Sequence, residues 1–340
     1  MKNKTCFFGE MILRLTPCDL TRLECADTLE MNFGGSELNT AVLMKRLGED
    51  VVYASLLPDS KIGENGIRFL QSNGIPVDYI HRSDKRLPLY FYEKGAEYLG
   101  GEVIYDRKNS CFSEMKEDEF DWETILDDCS CFHYSGITPA LSGNAKSNLF
   151  RALETCRKKN IKVSCDVNYR KALWTPKTCS ETMEKALSMT DICIINEEHA
   201  DILFGIRSDK RDSYGELTDE GYTEIAEKLS EKFNFKYIAL TIRRTISSNS
   251  NIVRGMLYKD GKSYFSKAYP VENIIDRIGG GDAFTAALLF KLKSDCDYEQ
   301  AINFGVCANA IKHYIKGDCA LTNEKEIESA MTGKGFRLGR

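Results

Sequence analysis

Short apolar runs alternate with segments of helical spacing along most of this chain. VVYASLL (residues 51–57) precedes GENGIRFLQSNG, where apolar positions recur at helical intervals until a glycine closes the segment at Gly74. CFHYSGI (131–137) leads into a helical pattern from about Ser142 to Lys159, and IKVSCDV (161–167) follows it. DICIIN (191–196) precedes EEHADILFG, and KYIALTI (236–242) comes after another helix that ends near Phe233. Runs that are apolar at nearly every position suit strands covered on both faces. The rhythm therefore predicts an α/β fold, a mostly parallel sheet with helices on both sides. In open sheets of this kind, ligands bind outside the carboxyl ends of the strands.

One region breaks the rhythm. LPLYFYEKGAEYLGGEVIYD (87–106) reads as two aromatic-rich strands joined by a glycine-containing turn, with no helix between them. With a segment near residues 29–33 they predict a small antiparallel sheet beside the main domain. A sheet placed over the ligand edge is expected to act as a lid that excludes water.

Charge and cysteine content narrow the field. The 46 basic and 51 acidic side chains leave a net charge of −5, which gives no electrostatic case for nucleic acid or an anionic membrane. No apolar stretch is long enough to span a bilayer, and the N-terminal apolar run is broken by Glu10 and Arg14. The 13 cysteines contain no C-x-x-C pair, and an odd count without a signal peptide points to reduced thiols in a cytoplasm. The four histidines have no ligand-like spacing, so a zinc site is not expected. His133, inside an apolar strand, reads as a core histidine.

The candidate chemistry begins at IIDRIGGGDAFTAALLF (274–290). Three glycines before a good helix former place free N–H groups and the positive end of a helix dipole where an anion could sit. Asp282 has two readings, a capping carboxylate or a proton acceptor beside the anion. Other polar residues fall at predicted strand ends: Asn168, Tyr169 and Arg170 in DVNYR, and Asn196, Glu197 and Glu198 in INEEH. FGGSELNTAVLMKRLG sets Gly34 and Gly35 before a helix carrying Asn39. Neither a Walker phosphate loop nor an early G-x-G-x-x-G occurs, which disfavours a Rossmann dehydrogenase.

These residues carry a resemblance. IDRIGGGDAF is similar to the anion-hole signature of ribokinase-type sugar kinases, D-T-x-G-A-G-D, and FGGSELNTAVLMKRLG to their N-terminal substrate motif. FFGEMILRLTP, LPLYFYE, YDRKNS, SGITPALS, DVNYRKALW and NAIKHYIKGD resemble the 2-keto-3-deoxygluconate kinases among them, over residues 6–321. The resemblance implies a single ribokinase-like three-layer α/β/α domain across residues 1–340, with lid strands within about 12–34 and 87–108. It implies that Asp282 is the general base and that the N–H groups of Gly279, Gly280 and Gly281 stabilise the transferring phosphoryl group. Gly34, Gly35, Asn39, Tyr90, Tyr105, Arg107 and Arg170 would hold the sugar acid. Asn168, Arg170, Asn196, Thr241, Arg243, Gly279, Gly281 and Asn309 would hold ATP.

Three departures from the family pattern bear on these assignments. Where the family has Asn-x-x-Glu to organise Mg²⁺, this chain has Asn196 and then His199, leaving Glu198 one place early as the carboxylate for the metal. The usual nucleotide loop is replaced by LTIRRTISSNSNIVRG (240–255). Arg277 either contacts a phosphate or pairs with Asp276. The expected activity is ATP-dependent phosphorylation of the terminal hydroxyl of 2-keto-3-deoxygluconate. A neutral-sugar kinase of fructokinase or ribokinase type, or a non-catalytic sugar-binding protein, are the alternatives. A homo-oligomer is expected, and the tyrosine-rich lid edge offers one surface through which copies could pair.

Overall fold

In the computed structural model, which describes residues 3–294 and 296–333, the apolar runs become strands. In chain order they are β1 (Lys4–Phe8), β2 (Ile12–Pro17), β3 (Leu29–Gly34), β4 (Val51–Pro58), β5 (Ile80–Ser83), β6 (Leu89–Glu93) and β7 (Glu102–Asp106). There follow β8 (Cys129–Ser135), β9 (Lys162–Asp166), β10 (Ile192–Ile195), β11 (Tyr237–Ser247), β12 (Ser250–Lys259), β13 (Lys262–Phe265) and β14 (Tyr269–Glu272). The large sheet has the order β13-β12-β11-β10-β9-β8-β1-β4-β5, and β14 also pairs with β12. From β11 to β5 every neighbouring pair is parallel. All of β10 and nearly all of β8 is buried, as expected for strands covered on both faces.

Helices form two outer layers. Gly143–Lys159, Pro176–Leu187 and Asp219–Phe233 bury their apolar stripes in one core, and Ser36–Arg46, Gly280–Leu292 and Tyr298–Lys312 in the other. The first three start with ordinary capping chemistry: Ser142, Thr175 and Thr218 each accept a hydrogen bond from the N–H three residues on. Chain order in the sheet reverses between β8 and β1, so the crevice for a ligand is expected above the carboxyl ends of those strands.

Two expectations need correction. The segment 240–255 is not a loop: β11 runs on to Ser247 and turns into β12, pairing Ile242 with Arg254 and Arg243 with Val253. Its inner half is buried while residues 243–246 are exposed, so the apolar signal faded before the strand ended. The lid is a four-stranded sheet, β3-β2-β6-β7, and is mixed rather than purely antiparallel because β2 and β6 run parallel. One lid face gathers Ile12, Tyr90 and Tyr92 with Val103 and Tyr105, and Ile278 packs against this cluster from the glycine-rich turn.

Candidate active site

The glycine-rich turn enters a helix. Gly279 adopts φ 83°, a left-handed conformation that favours glycine, and caps Gly280–Leu292 without any side-chain help. A Cβ at Gly279 would lie 1.8 Å from the carbonyl oxygen of Asp318, so only glycine fits there. The first intrahelical bond near the turn runs from Ala283 N–H to Gly279 O (2.9 Å). The N–H groups of Gly280, Gly281 and Asp282 precede it and point out of the first turn, the arrangement that binds anions. The helix is buried on nearly every side, which explains its unbroken apolar sequence.

Asp282 does not cap its helix. Its two oxygens accept hydrogen bonds from Ser36 Oγ (2.9 Å) and Asn39 Nδ2 (2.7 Å), both on the helix Ser36–Arg46. Asn168 Nδ2 donates in turn to Ser36 Oγ (3.0 Å). Burial pushes Asp282 up to about 6, against the pull of Asn39, Ser36 and Arg170. Burial, and then the charge of Asp282, raise Asp166 at the end of β9 to about 7. Two carboxyls at the mouth of an anion site thus favour proton uptake more than free aspartates do.

A buried charge cluster backs the turn. Arg14 of the lid is fully buried and forks onto Asp276, with Nη1 to Oδ1 at 3.2 Å and Nη2 to Oδ2 at 2.5 Å. Its Nη1 also lies 3.0 Å from Asp318 Oδ1. Asp276 accepts from the N–H of Ile278 (3.2 Å) and Gly317 (3.0 Å), and the buried Lys312 ammonium donates to the carbonyls of Ile315 (2.9 Å) and Asp276 (3.4 Å). Two cations against two anions make the cluster neutral, the condition under which buried charges are tolerable. Arg277 is not the partner of Asp276; it donates to the carbonyl of Ser248 (3.0 Å).

The lid approaches from above. Tyr90 donates to Asp318 Oδ2 (2.6 Å), which fixes its ring beside that of Tyr105, centroids 5.7 Å apart. The Arg107 guanidinium lies over the Tyr105 ring at 4.0 Å, with Nε 2.7 Å from Glu10 Oε1. At the lid's tip, Glu97 and Leu99 offer their carbonyls to Ser248 N–H (3.1 Å) and Oγ (2.7 Å) on the β11–β12 turn.

Together these groups enclose a cavity of about 550 Å³. Every site residue expected from the sequence lines it, with one exception: Gly35, Asn39, Tyr90, Tyr105, Arg107, Asn168, Arg170, Asn196, Glu198, Thr241, Arg243, Gly279, Gly280, Gly281, Asp282 and Asn309. Gly34 does not line the cavity. It packs on Asp318, whose Oδ2 would lie 2.2 Å from a Cβ there. Asn196 spends its side-chain oxygen capping the helix Glu197–Phe204, through the N–H of His199 at 2.7 Å. Arg170, Arg243 and Arg277 line the cavity together, a concentration of positive charge suited to a polyphosphate. Asn309 Oδ1 is buried there without a hydrogen-bond partner among the described residues.

The sequence matches the pfkB family of carbohydrate kinases over residues 2–317. This chain belongs to that family. A 2-dehydro-3-deoxygalactonokinase from Haloferax volcanii is 28% identical to it, with 98% of each chain covered. A 2-dehydro-3-deoxygluconokinase from Bacillus subtilis is 24% identical over 94% of this chain and 92% of the relative. The crystal structure of a 2-dehydro-3-deoxygluconokinase from Thermotoga maritima superposes with a TM-score of 0.93 at 36% identity, covering 97% of this chain and all of the other.

For this carbohydrate kinase, sequence reasoning missed residues whose signals were present but unweighted. Ser36 and Asp166 stand inside the quoted GGSELN and DVNYR motifs. Asp318 ends the quoted NAIKHYIKGD. Glu10 reads in the sequence only as a break in an apolar run. His133 is the core histidine expected, fully buried beside Ser164 Oγ (3.1 Å) and pushed down to about 3 by burial. Among the described residues no helix is long and apolar enough to cross a membrane.

Proposed function

We propose that this kinase transfers the γ-phosphoryl group of ATP to the terminal hydroxyl of 2-keto-3-deoxygluconate. The observation that carries the reading is Arg107. Its side chain is nine-tenths buried in the wall of the cavity, and its Nη1 has no hydrogen-bond partner among the described residues. Glu10 balances its charge, but the unpartnered Nη1 still offers a charge-assisted hydrogen bond, which a substrate carboxylate accepts more strongly than a neutral hydroxyl does. The names of the relatives from Thermotoga and Bacillus agree with a sugar acid, and that of the Haloferax relative belongs to its C4 epimer.

In the reaction, Asp282 takes the proton of the attacking hydroxyl as its oxygen forms a bond to the γ-phosphorus. The bond from that phosphorus to the β,γ-bridging oxygen breaks, and ADP leaves with the electron pair. Ser36 and Asn39 hold the carboxylate in position, which matters because phosphoryl transfer depends on positioning and charge neutralisation. The N–H groups of Gly280, Gly281 and Asp282 face the charge that develops on the transferring group. Arg170, Thr241, Arg243 and Asn309 line the same cavity; in this reading Arg170 serves the substrate carboxylate or the phosphates, and the other three serve the nucleotide.

The residues fit Mg²⁺ delivered with the nucleotide rather than held in a protein cage. No cluster of three or more His, Cys, Asp or Glu suited to a metal occurs among the described residues, while Glu198 lines the cavity as a single exposed carboxylate. When bound, the ion neutralises phosphate charge.

The test is product identification. Purified protein is incubated with ATP and a panel of 2-keto-3-deoxy sugar acids and neutral ketoses, and products are read by ³¹P NMR and mass spectrometry. A monophosphate ester on the terminal carbon of the sugar acid is expected. Phosphorylation of fructose with the acids left untouched replaces the reading with a neutral-sugar kinase, and ATP stability with every sugar favours a binding protein.

A further inference from the structure

The pair that links Arg107 to the body of the protein carries a further role. Glu10 follows β1 and is 2% exposed, while Arg107 follows β7 at the end of the lid. Arg107 is the only ion-pair partner of Glu10 among the described residues, and neither Glu10 oxygen accepts a well-formed hydrogen bond from any of them. Burial raises the Glu10 carboxyl, and Arg107 opposes that rise.

Two contacts fix the guanidinium. The Tyr105 ring lies 4.0 Å from it and the Glu10 carboxylate forms an ion pair at its Nε side (2.7 Å), which leaves Nη1 on the other side with no hydrogen-bond partner among the described residues. A guanidinium presents its N–H groups in a rigid planar arrangement, so holding one edge orients the other toward a second planar carboxylate. A site needing only packing would be served as well by an apolar residue of Glu10's volume, without the cost of a buried charge.

We infer that Glu10 is a positioning residue that aims Arg107 at the substrate carboxylate and so sets the preference for acidic over neutral sugars. The inference rests on the sugar-acid reading given above. Glu10 itself does not line the cavity, so it acts through Arg107.

A double-mutant cycle tests it. Values of kcat and KM are measured on 2-keto-3-deoxygluconate and on the best neutral sugar for the wild type, Glu10→Gln, Arg107→Leu and the double variant. Glu10→Gln is expected to raise KM for the acid by about 10- to 100-fold, the cost of a misplaced binding group, with kcat and the neutral substrate little affected. In the Arg107→Leu background the same change should add nothing. Glu10→Asp, which keeps the charge but withdraws it, should give an intermediate KM and guards against loss of fold in the glutamine variant.

Equal losses on acid and neutral sugars, or an undiminished effect without Arg107, would show a structural role and overturn the inference. A lowered KM for the acid overturns it too, because Glu10 would then compete with substrate. A wild type indifferent to the carboxylate removes the sugar-acid reading and this inference together. A wild type that prefers acids while the cycle is additive removes this inference alone.

Discussion

Replacing Asp282 with asparagine isolates the proton acceptor from the rest of the site. The substitution keeps the shape of the side chain, and the Ser36 hydroxyl can reverse its hydrogen bond to suit an amide. Asn39 can still donate to the remaining oxygen. Binding geometry is therefore retained, while the group that takes the hydroxyl proton is lost. With Asp282 raised to about 6, the wild type is mostly ionised at neutral pH and competent to accept. A positioned general base contributes about 10²- to 10⁴-fold, or about 2.7–5.4 kcal/mol of barrier. We expect kcat for Asp282→Asn to fall within that range, with KM for both substrates nearly unchanged. The assay is ADP release at saturating ATP and sugar, with the thermal midpoint checking that the variant is folded. A folded variant with near-normal kcat would refute the role of Asp282.

The acid limb of kcat/KM should have an apparent pKa near 6, since protonating Asp282 removes the base. Stability should move little over the same window. The raised carboxyls of Asp166 (about 7), Asp282 and Asp318 (each about 6) stabilise the fold as pH falls through those values, while the depressed histidines His133 (about 3) and His199 (about 4) destabilise it below their unfolded value. A thermal midpoint that collapses in step with activity would reject this assignment. Arg14→Met leaves Asp276 and Asp318 without their lid-side cation and should lower the unfolding free energy by about 3–5 kcal/mol in denaturant titration; a loss below about 1 kcal/mol, the worth of an exposed pair, would contradict it. On the proposal that the ion enters with ATP, chelating divalent ions should abolish turnover without shifting the thermal midpoint; a lowered midpoint would indicate a resident metal instead.

The parallel core was legible in the sequence because its strands are buried on both faces and therefore apolar at almost every position, as in ICII of β10. The β11–β12 hairpin was not, since its outer half is exposed and polar residues such as Arg243 and Arg244 interrupt the pattern. The glycine turn stood out because Gly279 needs a backbone conformation and a clearance that other residues lack. What sequence could not give was pairing across distance. Arg14 and Asp276 are 262 residues apart and Tyr90 and Asp318 are 228 apart, so nothing local marks either as a partner. Arg277 is the adjacent cation the sequence presents to Asp276, and the fold gives Asp276 to Arg14 instead. Glu10 looked like a flaw in an apolar run, and its meaning depends on a lid residue that folding brings beside it.

The most direct test of the substrate reading is the ratio of kcat/KM for 2-keto-3-deoxygluconate to that for fructose, measured on the wild type under one set of conditions. A charge-assisted hydrogen bond to the carboxylate is worth about 1.5–3 kcal/mol, which predicts a ratio of at least about 10 to 150 in favour of the acid. A ratio near one, or one that favours fructose, would contradict the assignment of Arg107 to a substrate carboxylate and leave a carbohydrate kinase with a neutral substrate.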